Sequence, residues 1–185
     1  GDDGGYTLIQ EEIPLKTWVK AACEQGIVAV DTETNSLDSL NAELIGISLA
    51  LPKPVEGARA CYIPVGHIRR VSQATLDLGE ENPLSQTRDA PKQLTIDKLL
   101  EILKPLLEDP GTLKVAHNAK YDSEVFANYN VRMGPLDDTM LLSYVLDGGS
   151  HGHGLDDLTR IHLGRTNIKY KEVTGSGKKQ IGFAE

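Results

Sequence analysis

Apolar and polar positions alternate between helical and strand periods along this chain, with breaker residues between the runs. "IPLKTWVKAACEQG" carries a helical spacing that predicts a first helix from Leu15 to Gln25, stopped by Gly26. "IVAVD" (27–31) is short, β-branched and preceded by glycine, which predicts a buried strand. "LIGISLAL" (44–51) and "ACYIPV" (60–65) predict two more strands with short links, hence an antiparallel meander. Residues 66–93 read as a long surface loop. "TIDKLLEILKPLLED" (95–109) predicts a helix with Thr95 or Asp97 at its cap and Pro105 kinking or shortening it.

"TLKVAH" (112–117) predicts a fourth strand and "NAKYDSEVFANYN" (118–130) a helix, with Asn118 available as its cap. "DDTMLLSYVLD" (137–147) predicts a helix with Asp138 as N-cap, and "LDDLTRIHLG" (155–164) the last one, capped by Asp156 or Asp157. The basic, Gly-rich run from Arg165 onward reads as loop. Strands first, then helix–strand–helix, predicts an α/β domain: a mixed sheet, antiparallel meander then parallel strand, flanked by helices.

At 185 residues with 39% hydrophobic and 25% charged positions, the chain is large enough for one domain with a substantial core. Residues 1–5, "GDDGG", read as a tag or linker remnant, leaving 6–185 as the domain. No apolar run approaches the ~20 residues of a membrane helix. Cys23 and Cys61 have no C-x-x-C partner and read as buried free thiols, which points to a reducing, cytoplasmic compartment. A net charge of −8 argues against broad non-specific duplex binding but not against an acid-lined nucleic-acid enzyme.

The strand at 27–31 runs on as Asp-Thr-Glu-Thr, and alternation sends Asp31 and Glu33 to one face. Two neighbouring carboxylates repel and raise at least one pKa. A hard cation between them relieves this; Mg²⁺ or Mn²⁺ takes one or two carboxylates plus substrate phosphate. Two such ions ~3.5–4 Å apart support phosphodiester hydrolysis. By itself D-x-E is a weak signal, since exposed acids after a strand are common. "HNAKYD" adds Asp122, on the same helical stripe as Val125, Phe126 and Tyr129. An acid on that apolar side needs a partner: an arginine, a backbone amide or a metal.

The stretches "VAVDTETNSLDSL", "LIGISLAL", "YIPVGH", "ILKPLLEDPGTLKVAHNAKYD" and "DTMLLSYVLD" resemble the 3′→5′ proofreading exonuclease domains of bacterial DNA polymerase I. These belong to the DEDD superfamily with a ribonuclease H-like fold, and the resemblance runs from about Tyr6 to Phe183. It implies that Asp31 and Glu33 hold one divalent ion, that Asp31 bridges to a second, and that Asp122 serves the second. Glu33 would also touch the 3′-terminal hydroxyl of a single-stranded DNA end. Leu37 would wedge against the last base, the Thr34 backbone would seat the terminal nucleotide, and Asn118 and Tyr121 would line the cleft. Tyr170 falls where the family stacks an aromatic ring on a base.

The family also needs a fourth carboxylate in a Tyr-x-x-x-Asp motif, and none follows Asp122. The expectation is a domain truncated before that motif and before a polymerase domain. "HGHGLD" offers His151 and Asp156 as the H-x-x-x-x-D alternative, but the segment aligns with the loop ahead of the missing motif. His117 is a cleft or structural histidine. His67, Arg69 and Arg70 read as a solvated loop, and Lys171, Lys178 and Lys179 as solvated or phosphate-facing. The implied function is proofreading exonuclease. The alternatives are a ribonuclease D-like RNA-trimming enzyme and an inactive scaffold beside a polymerase.

Overall fold

A computed structural model describes residues 5–68, 91–175 and 181–184. Most of the tag-like start, Arg69, Arg70, Lys178 and Lys179 lie outside them, as does most of the predicted loop at 66–93. Among the described residues six strands form one sheet: β1 Tyr6–Leu8, β2 Ile27–Thr34, β3 Leu44–Val55, β4 Ala58–Pro64, β5 Leu113–Ala116 and β6 Leu136–Asp138. Their order is β1-β4-β3-β2-β5-β6. β2, β3 and β4 are the predicted antiparallel meander, while β5 runs parallel to β2 and β6 parallel to β5. The three-residue β1, parallel to β4, is too short to leave a periodic signal.

Helices α1 (Glu12–Gln25), α2 (Ile96–Leu107) and α3 (Ala119–Ala127) bury one stripe each against the sheet. Leu15, Trp18, Leu99, Leu103, Val125 and Phe126 meet Val28 and Val30 of β2 in a single core. α1 starts earlier than predicted, at Glu12, because Pro14 falls in the first turn, where helix N–H groups lack partners anyway. It ends as expected at Gly26, whose φ of 70° lets its N–H reach the carbonyls of Ala22 and Cys23. Thr95 caps α2, and Pro105 sits in its last turn, so the helix continues to Leu107.

Lys114, 0% exposed, is the largest fully buried side chain among the described residues. Its ammonium donates to the carbonyls of Asp109 (2.7 Å), Thr112 (2.7 Å) and Leu106 (3.3 Å), closing the C-terminal end of α2 with a cation.

Asn118 does not cap α3. It takes a left-handed φ of 62° and makes no side-chain cap bond. The carboxylate of Asp138 does the work from β6, accepting from the N–H groups of Asn118 (3.1 Å) and Ala119 (2.9 Å). The same carboxylate accepts from Met140 and Leu141 at the start of α4 (Thr139–Asp147), as predicted for that helix.

α4 reverses the usual pattern. Its one buried residue is Ser143, bonded to His153, while Leu141, Leu142, Tyr144, Val145 and Leu146 are exposed. The last predicted helix divides into α5 (Leu155–Leu158) and a π-helical turn, Thr159–Leu163. Gly154 is its N-cap, and neither Asp156 nor Asp157 caps it by side chain. The run after Arg165 is not all loop, since Tyr170–Thr174 forms the short helix α6. Both cysteines are free, but Cys23 is exposed; only Cys61 is buried.

Candidate active site

β2 is three residues longer than the predicted strand. Val28, Val30 and Thr32 face the core, and Ala29, Asp31 and Glu33 face the other side of the sheet. β3 keeps pairing along this stretch, with Asp31 opposite Ser48 and Glu33 opposite Gly46. β5 does not: its pairing with β2 stops at Ala29 and Val115. The two parallel strands therefore part at their C-terminal ends, the usual place for a ligand crevice in such sheets. A cleft of about 260 Å³ opens there, lined by Ala29, Asp31, Ser48, Val115, His117 and Thr139 among others.

Asp122 reaches into the gap that β5 leaves. Its Oδ1 accepts from the Thr32 backbone (3.1 Å) and from Thr32 Oγ1 (2.6 Å). The acid is 3% exposed, and the partner it required is thus a backbone amide and a hydroxyl.

Crowding around the acids disfavours their charged forms. Burial, above all, with the charges of Asp31 and Asp122 behind it, pushes Glu33 up to about 7. Burial raises Asp122 to about 6 against the opposing bond from Thr32, with Asp31 adding to the rise. Asp31 itself is raised by the protein packed around its carboxyl, with the Thr32 backbone and His117 pulling the other way. The three acids thus sense one another's charge.

The donors are oxygen only, which fits a hard divalent cation. Among the described residues no three His, Cys, Asp or Glu side chains stand close enough together to hold a metal ion between them. An open set of carboxylates is what an ion that keeps waters and takes substrate phosphate uses.

Around the acids, the loop after β2 is pinned to α3. Tyr121 Oη bonds Thr34 Oγ1 and the Ser36 carbonyl, Ser39 bonds Glu124, and Asn128 donates to the Ser39 carbonyl at 2.8 Å. Thr34 Oγ1 also donates to Ser36 (2.9 Å). Leu37 projects from this pinned loop, 98% exposed. Asn118 is exposed just beyond β5, and His117 Nδ1 meets Thr139 Oγ1 at 3.0 Å across the cleft. Tyr170, at the start of α6, is exposed and stacks on Phe183 with centroids 6.4 Å apart.

His151 and Asp156 are turned to separate partners. His151 Nδ1 bonds the Gly152 carbonyl, while Asp156 accepts from Asn167. Sequence reasoning passed over Tyr62 and read His67 as solvated; His67 is half-buried and bonded to Tyr62 Oη at 2.8 Å. The available signal was Gly46, since a lone glycine inside a strand marks a close approach.

DNA polymerase I of Rhizobium leguminosarum is 41% identical over 187 residues, covering 98% of this chain. That of Pseudomonas aeruginosa is 35% identical over 181 residues, covering 96%. The chain spans 17% of the length of each. Among solved structures, Escherichia coli RNase D superposes with a TM-score of 0.59 at 20% identity, over 95% of this chain and 39% of that one. A Mg²⁺-bound NrnC from Brucella melitensis gives 0.55 at 17%, over 94% and 68%. These structural likenesses establish the ribonuclease H-like fold. The 3′-5′ exonuclease family profile covers residues 6–185, and with acids gathered where β2 and β5 part, the chain belongs to that family.

Proposed function

We propose that this domain hydrolyses the 3′-terminal phosphodiester of single-stranded or frayed DNA, as the proofreading part of a DNA polymerase I. The observation that carries it is that Asp31 and Glu33 share one face of β2 where β5 stops pairing, while Asp122 is bonded to Thr32 between them. Asp31 and Glu33 would hold one divalent ion, Mg²⁺ or Mn²⁺, and Asp31 and Asp122 a second. Bound there, the ions supply activation of a water and stabilisation of the leaving oxygen.

The chain's own residues do the placing. Thr32 fixes the Asp122 carboxylate, and Tyr121 fixes the turn that presents Leu37 to the terminal base. Glu33 faces the terminal hydroxyl, the Thr34 backbone and Asn118 border the nucleotide, and Tyr170 offers an exposed ring for a base to stack on.

The relatives named above are DNA polymerases I, and this chain matches only 17% of their length. The proposal therefore includes a polymerase domain in the same full-length chain and a fourth carboxylate from outside residues 6–185.

The test is digestion of a 5′-labelled single strand with Mg²⁺ or Mn²⁺ by this chain, its Asp31→Ala variant and a version extended through a Tyr-x-x-x-Asp motif. A ladder shortening from the 3′ end, abolished by Asp31→Ala, is expected. Cleavage indifferent to Asp31, or an RNA strand cut in preference to DNA, overturns the reading; the second result favours RNA trimming.

A further inference from the structure

Two rows of side chains cross the open face of the sheet beside the acids. Asp31, Ser48 and Tyr62 stand in one; Glu33, Gly46 and Pro64 stand in the next. The Tyr62 ring leaves its own row and lies over Gly46. A methyl group at position 46 would sit 2.0 Å from Tyr62 Oη and 2.3 Å from Cζ, so only glycine admits the ring. The ring thereby fills the place opposite Glu33, and Glu33's charge, behind burial, raises the phenol's pKa.

Tyr62 is braced from its far side. Its hydroxyl meets His67 Nε2 at 2.8 Å. His67 is itself tied at both backbone groups: its N–H donates to Gln93 Oε1 (3.1 Å), and its carbonyl accepts from Gln93 Nε2 (2.9 Å). The next residue, Ile68, donates to the Ala184 carbonyl at 2.9 Å. The His67 ring lies 6.1 Å from Phe183, whose other neighbour is Tyr170. A row of rings therefore links the flank of Glu33 to the exposed stacking tyrosine.

Filling the notch over Gly46 needs only a ring, and phenylalanine would do it. The hydroxyl adds the bond to His67 that fixes the ring beside the carboxylate. We propose that Tyr62 is a positioning residue for Glu33: its ring and hydroxyl edge, fixed by His67, bound the space open to the carboxylate and hold it toward the terminal nucleotide. The importance of Glu33's position rests on the exonuclease reading above; the bracing does not.

Two measurements on the full chain and its Tyr62→Phe variant separate these. The first is the ¹³C carboxyl signal of Glu33 in metal-free protein, assigned by its loss in Glu33→Gln. The second is the 3′→5′ cleavage rate at saturating single-stranded oligonucleotide with Mn²⁺, beside the half-saturating concentration and the melting temperature. Tyr62→Phe is expected to move the Glu33 signal and lower the saturated rate about tenfold, leaving half-saturation and melting essentially unchanged.

An unmoved Glu33 signal overturns the proposal whatever the activity. So does a moved signal with an unchanged rate in an active protein. If the signal moves while the wild-type chain, extended through a Tyr-x-x-x-Asp motif, does not cleave, the positioning stands and the exonuclease reading falls.

Discussion

Asp122 takes two hydrogen bonds from one residue, Thr32: its Oδ1 lies 3.1 Å from the backbone nitrogen and 2.6 Å from Oγ1. Thr32→Val preserves the shape and removes the stronger of them. The buried carboxyl then keeps a single donor, and a loss of about 1–2 kcal/mol of stability is expected in urea unfolding. The carboxylate is also freed to rotate, so cleavage should fall by more than binding of the oligonucleotide does.

Glu33 and Asp122 give the metal-free protein an inverted pH response. Their folded pKa values, about 7 and about 6, stand above the ordinary carboxylate range. Such groups hold protons in the folded state that the unfolded chain has released. Their contribution is complete below about pH 4 and lost as pH rises through 6 to 7. For Asp122 the rise to about 6 corresponds to on the order of 3 kcal/mol. In EDTA, melting should fall between pH 5 and pH 8, and this fall should shrink in the Glu33→Gln, Asp122→Asn double variant. Adding Mn²⁺ at pH 8 should raise melting in a concentration-dependent way; a flat titration would count against metal binding.

Lys114→Met keeps the aliphatic stem and deprives three carbonyls of their donor. A loss of about 2–4 kcal/mol is expected from the change in urea midpoint at constant slope. Arginine should not rescue it, because a planar fork does not fit a point donor's place among those carbonyls.

Tyr170→Ala should weaken single-strand binding by about 1–3 kcal/mol, the usual worth of one base–ring stack. Tyr170→Phe should bind as the wild type does. Fluorescence anisotropy with a labelled oligonucleotide in EDTA measures both without any cleavage.

What could be read from the chain, and what could not, follows from the range of the forces involved. Alternation along β2 placed Asp31 and Glu33 together because strand geometry is local, and helical spacing placed Asp122 on the inward face of α3 for the same reason. The true end of β2 was hidden because Thr32 is buried by a bond to a residue ninety positions away. Asp138 was legible as the cap of its own helix; its second role needs β6 beside β5, a pairing no local pattern announces. Tyr62 escaped notice and His67 was read as solvated because "YIPVGH" reads as strand and loop, and only the pairing of β3 with β4 puts Tyr62 over Gly46. α6 was missed because a Gly-rich basic context outweighed its single helical turn.

Asp138 also sets how this region comes apart. One carboxylate holds the first turns of two helices, α3 with Asp122 and α4 with its exposed apolar face. Both helix starts draw on this one acceptor, so a swing of the Asp138 side chain releases both sets of bonds at once. α3 and α4 should therefore open as one unit, with the amides of 118–119 and 140–141 losing protection against hydrogen exchange together. A nuclease that breathes at α4 would lose its grip on Asp122 in the same event.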